Sequence, residues 1–334
     1  GVFMIIAVGT IISSFQSDRL TRKFGTGKVT AVSVMMTAVA LFGFSISNSY
    51  WMLCLWAIPY GLGAGSVDAS LNNYVALHYT SRDMSWLHCM WGIGASVGPY
   101  IMGYALTGGN TLVLFLSLPL WKKSVGEKKG ETESVQVDAS KPLSLKEIFG
   151  IPGAKEVMIS FFCYCALEQT ASLWASSYLV FHHKMPEDAA AGFASLFFVG
   201  ITVGRFLSGF LTMKFNDKQM IWLGEAITLV GILTLFLPFG KAAVIPGLIL
   251  VGLGCAPIYP CIIHSTPANF GAERSQAMIG VQMAFAYIGI CVMPPIFGLI
   301  ANHISISLFP VYMLLILAVM AVMYQRMLGK VKNR

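Results

Sequence analysis

Long apolar stretches, separated by short polar loops, run along almost the whole chain. A helix rises about 1.5 Å per residue, so about 20 residues are needed to cross a hydrocarbon core of about 30 Å. The pattern therefore predicts an all-α membrane protein built from transmembrane helices. Nine stretches are long enough for a full crossing: residues 30–48, 51–79, 84–106, 155–181, 190–214, 220–239, 243–266, 274–301 and 305–326.

Two further apolar stretches fall short of a crossing. Residues 1–15 begin already apolar, with no initiator Met and no signal-peptide pattern, so we expect the tail of a helix whose start is absent. Residues 111–121 would rise only about 17 Å as a helix, which is too little to span the bilayer.

The composition agrees with a membrane protein. Of the 334 residues 56% are hydrophobic and only 11% are charged, whereas a soluble domain has about 25% charged residues. The seven cysteines lie within apolar stretches, and no set of His and Cys has metal-ligand spacing, so we expect no disulfide framework, no metal and no cofactor. The loops carry no nucleophile and base constellation, which argues against an enzyme.

The basic residues are distributed unevenly between the two sides of the membrane. If the crossings alternate, all Lys and Arg except Lys184, Lys241 and Arg205 lie on one side. The positive-inside rule makes that side cytoplasmic and predicts cytoplasmic termini in an inner or plasma membrane. The net charge of +7 then reflects the orientation of the chain in the membrane. Without stacking aromatics among the basic residues, a nucleic-acid partner is not expected.

A polar stretch divides the chain in two. Residues 122–147 are mixed in charge and poor in aromatics, so they predict a cytoplasmic linker over residues 122–154. The linker separates an N-terminal bundle, residues 1–121, from a C-terminal bundle, residues 155–334.

The two bundles repeat each other. IGASVGPYIMG at 93–103 aligns with IGICVMPPIFG at 288–298, and GLGAG at 61–65 aligns with GLGCA at 252–256. Such repeats are typical of transporters. The repeat places the partner of the helix at 155–181 before residue 1, and the partner of the helix at 305–326 on residues 111–121. We therefore expect that a first helix and part of the sixth are missing, with a break near Asn110 and Thr111.

These features together resemble the major facilitator superfamily, whose members have two parallel six-helix halves joined by a cytoplasmic linker. SFQSDRLTRKFG at 14–25 is similar to the family's signature between the second and third helices, although Ser14 and Thr21 replace the usual glycines. The resemblance implies a conformational latch between the halves. Its residues would be Asp18, Arg19, Arg22 and Lys23, with Asp18 accepting hydrogen bonds from the start of the eleventh helix at residues 274–276.

Two short stretches resemble the fucose-permease branch of that family. They are GLGAGSVDASLNNYV, which contains Asp68 and Asn72, and LEQTASLWASSYL at 167–179. The branch resemblance implies a monomeric importer in the lipid bilayer that moves a small polar solute, often a sugar, with protons. A proton-coupled exporter of drugs or metabolites stays open as an alternative, because GASVGPYIMG at 94–103 resembles an antiporter motif. A membrane sensor or scaffold that does not transport is a third possibility.

Two membrane carboxylates are the candidates for proton coupling. A charge at the bilayer centre costs about 2.5–3.5 kcal/mol on insertion scales, and both Asp68 and Glu168 lie near the middle of a predicted crossing. By the family resemblance both would face the central cavity. A purely structural role, satisfied by polar neighbours, is the alternative for each.

Further polar residues are candidates for solute contact, because amides and phenols exchange hydrogen bonds with hydroxyls and an indole can stack on a sugar ring. For Arg205, a structural ion pair or a latch element is expected. The role of His88 is left open. The candidates for solute contact are Asn72, Gln169, Trp174, Tyr178 and Tyr259. We expect Asp68, Asn72, Glu168 and Trp174 to be exposed to the cavity.

Overall fold

The computed structural model describes residues 1–90, 93 and 143–332. These residues form helices and no strand, which confirms the predicted all-α class. The expected break near Asn110, the short stretch 111–121 and most of the linker lie outside the described residues. The helices are α1 (Val2–Phe24), α2 (Thr26–Ser45), α3 (Tyr50–His78), α4 (81–90), α5 (Leu145–Gly150), α6 (Ala154–Phe181), α7 (Glu187–Leu211), α8 (Asp217–Thr234), α9 (Lys241–Cys255), α10 (Ile258–Phe270), α11 (Ala272–Ile300) and α12 (Phe309–Lys332).

Four described helical segments are both long and apolar enough to cross a membrane: Thr26–Ser45, Ala189–Leu211, Lys241–Phe270 and Ala272–Lys332. The predicted crossing at 84–106 lies mostly outside the described residues. Of the other predicted crossings, those at 51–79, 155–181 and 220–239 are not among these four segments. With 29 and 28 residues, α3 and α6 have the length to span at about 1.5 Å per residue. They also carry the polar residues on which the candidate site depends.

One predicted crossing is interrupted. The stretch at 243–266 forms two helices, α9 and α10, with Ala256 and Pro257 between them. Pro257 has no backbone N–H to donate, and its ring clashes with the preceding turn, so the helix breaks there. The break redirects α10 toward α3, α8 and α11.

The predicted linker ends in a short helix. Ser144 and Glu147 cap α5 reciprocally, because the Ser144 hydroxyl accepts from the Glu147 N–H and the Glu147 carboxylate accepts from the Ser144 N–H. Ile148 on this helix is buried against the core. The last part of residues 122–154 therefore contains a short helix that packs against the core.

Close packing of small residues fixes α3 against α1. A Cβ at Gly65 would overlap the Thr10 carbonyl oxygen, so only glycine allows the two backbones to approach this far. The Ser13 hydroxyl donates to the Leu62 carbonyl at 2.5 Å. This packing sets the depth and the direction of the polar face of α3.

Several contacts between the first and the second half of the chain lie at one end of the molecule. We call it the basic end, defined by Arg19, Arg22, Lys23, Lys214 and Arg274. There the Arg22 guanidinium donates to the Glu273 carbonyl at 2.9 Å, and the Gln276 amide donates to the Ser17 hydroxyl at 3.5 Å. The His264 ring lies 3.2 Å from the Tyr79 carbonyl. These contacts join α1 to α11 and α3 to α10.

The expected role of Asp18 needs correction. Its carboxylate accepts from the Arg22 side chain one turn later at 2.8 Å, and its other oxygen is buried without a hydrogen-bond partner. Asp18 therefore does not reach α11 itself. The longer Arg22 side chain spans the gap, and Asp18 orients it.

The basic end should open when α11 can no longer approach α1. A Cβ at Gly280 would lie 2.7 Å from the Ser14 carbonyl oxygen, so we expect Gly280→Leu to separate the helices. Hydrogen–deuterium exchange at residues 14–22 and 273–280 should rise. Gly192→Leu is the matched control, because nothing lies within 4 Å of a Cβ there. Equal exchange in the two variants would show that this contact does not close the basic end.

Candidate functional site

A cavity of about 290 Å³ lies between the helices, beside the middle part of α6. Residues of α3, α4, α6, α7, α10 and α11 line it, so both halves of the chain contribute. Apolar side chains of α11 form one wall. The polar lining consists of Asp68, His88, Glu168, Gln169, Arg205, Tyr259 and Tyr287.

Asp68 is held by neutral donors on both of its oxygens. The Asn72 amide, one turn later on α3, donates to Oδ1 at 2.9 Å, and the Tyr287 hydroxyl of α11 donates to Oδ2 at 2.8 Å. Among the described residues no Lys or Arg forms an ion pair with Asp68. A proton can therefore bind here without breaking a salt bridge.

Glu168 has a different environment. Its Oε2 lies 3.7 Å from Arg205 Nη2 and also accepts a hydrogen bond from the Tyr164 hydroxyl. The Arg205 side chain is only 3% exposed and that of Glu168 is 20% exposed. A guanidinium buried this far needs a carboxylate partner, so the pair joins α6 to α7 as a unit.

His88 and Tyr259 form an aromatic side of the same cavity. Their rings meet edge to face with centroids 4.5 Å apart, and Tyr259 also packs at 5.0 Å against Phe161. The Tyr259 hydroxyl donates to Met283 Sδ at 3.2 Å. Tyr259 therefore lines the same cavity as Asp68, as expected for a candidate solute contact.

Three predicted solute contacts do not line this cavity. Asn72 is only 2% exposed and is used by Asp68. The Trp174 indole donates to the Pro294 carbonyl at 3.0 Å, and the Tyr178 hydroxyl lies 3.5 Å from the Leu235 carbonyl. Trp174 and Tyr178 lie six and ten residues beyond Glu168, which is about 9 and 15 Å along the helix axis. The resemblance in sequence could not reveal that these side chains form hydrogen bonds to other residues of the protein.

The structure also changes the place of Arg205 and adds Tyr287. Arg205, expected as a latch or structural residue, lies on the cavity wall. Tyr287 was not predicted, although Met283, Tyr287 and Ile290 recur at helical spacing along α11 and share the cavity. Among the described residues no group of three His, Cys, Asp or Glu could hold a metal ion.

The profile of the Major Facilitator Superfamily matches residues 2–193 and 157–331. The chain belongs to the Major Facilitator Superfamily. It is therefore a multi-pass membrane transporter and not an enzyme, and the expected family is confirmed.

Curated proteins and solved structures agree with this assignment. The chain is 22% identical to "Bypass of stop codon protein 6" of Saccharomyces cerevisiae, over 92% of the chain and 71% of that protein. It is 20% identical to the glucose/mannose transporter GlcP of Bacillus subtilis, over 72% of the chain and 64% of that protein. A fucose:proton symporter from E. coli superposes with a TM-score of 0.75 and 15% identity, over 96% of the chain and 90% of that protein.

Proposed function

We propose that this member of the Major Facilitator Superfamily imports a small neutral polyhydroxylated solute, a sugar, together with protons by alternating access. It would act in an inner or plasma membrane with cytoplasmic termini. The observation that carries the proposal is that Asp68 and Glu168, on different helices, line one cavity with different partners.

The charges of the lining favour a neutral solute. Asp68 and Glu168 supply two negative charges and Arg205 one positive charge. The cavity is therefore negative when both acids are ionised and neutral once Asp68 binds a proton. An anionic solute would be repelled by the first state and would find no free cation in the second, because Arg205 is paired with Glu168.

The size and the hydrogen-bonding groups also favour a small polar solute. A volume of about 290 Å³ is at the lower limit of ligand pockets, which span about 300–1,000 Å³. Gln169, Tyr259 and Tyr287 offer amide and phenol groups that can exchange hydrogen bonds with hydroxyls. A cavity for hydrophobic drugs would be larger and less polar.

The contact between Asp68 and Tyr287 supports the proposed proton coupling. A hydrogen bond to an ionised carboxylate is about twice as strong as one between neutral groups. Ionised Asp68 therefore holds α11 against α3 while the basic end is closed. Protonation weakens this bond, so the helices can separate, and solute and proton favour the same transition.

A panel of matched solutes tests the proposed substrate class. In thermal-shift measurements on the purified protein, at least one of L-fucose, D-glucose and D-mannose should raise the melting temperature, because a ligand of the native state stabilises it. D-gluconate, in which the aldehyde carbon of D-glucose is oxidised to a carboxylate, should give no shift. Stabilisation by gluconate, with none by the sugars, would contradict the proposal.

Transport assays separate the alternatives. In proteoliposomes an inward proton gradient should drive the bound sugar inward. An exporter would instead expel its solute as protons enter, and a sensor or scaffold would bind the sugar without moving it.

A further inference from the structure

His88 brings a polar ring atom without a hydrogen-bond partner to the cavity region. His88, near the end of the described part of α4, lines the cavity, and its Nε2 is buried with no hydrogen-bond partner among the described residues. A neutral imidazole has one N–H donor and one acceptor nitrogen. Depending on the tautomer, the free ring nitrogen can therefore donate a hydrogen bond to a hydroxyl oxygen or accept one from a hydroxyl group.

The position of the ring does not depend on that nitrogen. The His88 carbonyl accepts from Arg205 Nη1 at 3.4 Å, and the neighbouring Cys89 thiol lies 3.7 Å from the Thr202 carbonyl. These contacts hold α4 against α7 without the imidazole. Packing against Tyr259 then orients the ring.

A buried polar group without a partner is unfavourable, because it has lost its hydrogen bonds to water and gained none. Native structures usually satisfy such groups with protein, water or a ligand. In a cavity that takes up a polar solute, a hydroxyl of the solute can supply the missing partner. A site built in this way also rejects analogues that lack the hydroxyl, because the nitrogen is then left unpaired.

We propose that His88 is a specificity-determining residue, whose free ring nitrogen forms a hydrogen bond with one hydroxyl of the transported solute. This inference rests on the proposed function and names a recognition residue that the sequence left undecided. The imidazole adds to the amide and phenol groups of the cavity a contact that selects for one position of the solute.

The first test needs no ligand. His88→Phe keeps a ring beside Tyr259 and removes the unpaired nitrogen, so the melting temperature of the ligand-free protein should not fall. His264→Phe is the matched control, since both ring nitrogens of His264 have partners, Asp217 at 2.6 Å and the Tyr79 carbonyl at 3.2 Å. This control should lose several degrees. A similar loss in His88→Phe would show that His88 is a structural residue and would overturn the inference.

The second test measures binding of L-fucose, D-glucose and D-mannose, and of the single-deoxy analogues of whichever sugar binds. For that sugar, His88→Phe should raise Kd about tenfold, the equivalent of about 1.4 kcal/mol, and His88→Gln should raise it less. For one deoxy analogue the difference between wild type and His88→Phe should disappear. An equal tenfold loss for every analogue, or no loss at all, would overturn the inference.

Failure of the proposed substrate class and failure of the proposed role of His88 would give different results. If wild type binds none of the sugars, the proposed substrate class is wrong, and so is hydroxyl recognition by His88. If wild type binds a sugar and His88→Phe binds it equally well, only the role of His88 is wrong.

Discussion

Asp68→Asn should abolish accumulation of solute against its gradient, while solute binding and exchange persist. The amide mimics the protonated acid, so the variant keeps a neutral cavity but cannot release a proton. Tyr287 and Asn72 bond to different oxygens of Asp68, at 2.8 and 2.9 Å. The single oxygen of Asn can still accept from one of them, and its NH2 group can donate to the oxygen of the other. In proteoliposomes with an inward proton gradient, the ratio of internal to external solute should fall to about one, the value for equilibration without coupling.

Glu225→Gln is the matched control for this prediction. Glu225 is another acid in an apolar stretch, on α8, and its Oε1 is buried without a hydrogen-bond partner, but it does not line the cavity. This variant should accumulate solute as the wild type does. If Asp68→Asn also accumulates solute normally, Asp68 is a structural residue that ties α3 to α11, and the proton site lies elsewhere.

Breaking the buried pair should have the largest effect on stability, and the two halves of the pair should differ. Glu168→Gln leaves Arg205, which is 3% exposed, without a counter-charge, and a guanidinium cannot give up its proton. We expect a loss of about 3–5 kcal/mol in the free energy of unfolding. Arg205→Gln should cost less, because Glu168 can take up a proton and become neutral. Arg205→Gln also loses the 3.4 Å hydrogen bond from Arg205 to the His88 carbonyl. This loss should cost less free energy than an unpaired buried charge, since the bond is long.

The double variant Glu168→Gln with Arg205→Gln should recover much of this loss, because no charge is then left buried. Thermal unfolding in detergent gives the order of the three variants. The pair between Lys330 and Glu156, at 2.5 Å, serves as the control because Lys330 is 53% exposed, and removing it should cost less than about 1 kcal/mol. An order in which Arg205→Gln is the least stable of the three would contradict a buried, permanently charged Arg205.

Several properties could be predicted from the sequence because they depend on local composition. Apolar stretches of about 20 residues have few alternatives to a membrane helix. The charged signature at 14–25 and the internal repeat were enough to point to the superfamily. Asp68 and Glu168 stood out because a carboxylate in an apolar stretch is costly, and both line the cavity.

Only the tertiary structure decided which polar residues share the cavity. Tyr287 reaches Asp68 from 219 residues away, and Arg205 reaches Glu168 from a different helix. Trp174 and Tyr178 have the right chemistry for a sugar but donate to backbone carbonyls elsewhere. A sequence fixes which side chains share one face of a helix. The neighbouring helix that this face meets depends on packing between distant segments, where a glycine such as Gly65 or Gly280 sets how closely two backbones approach.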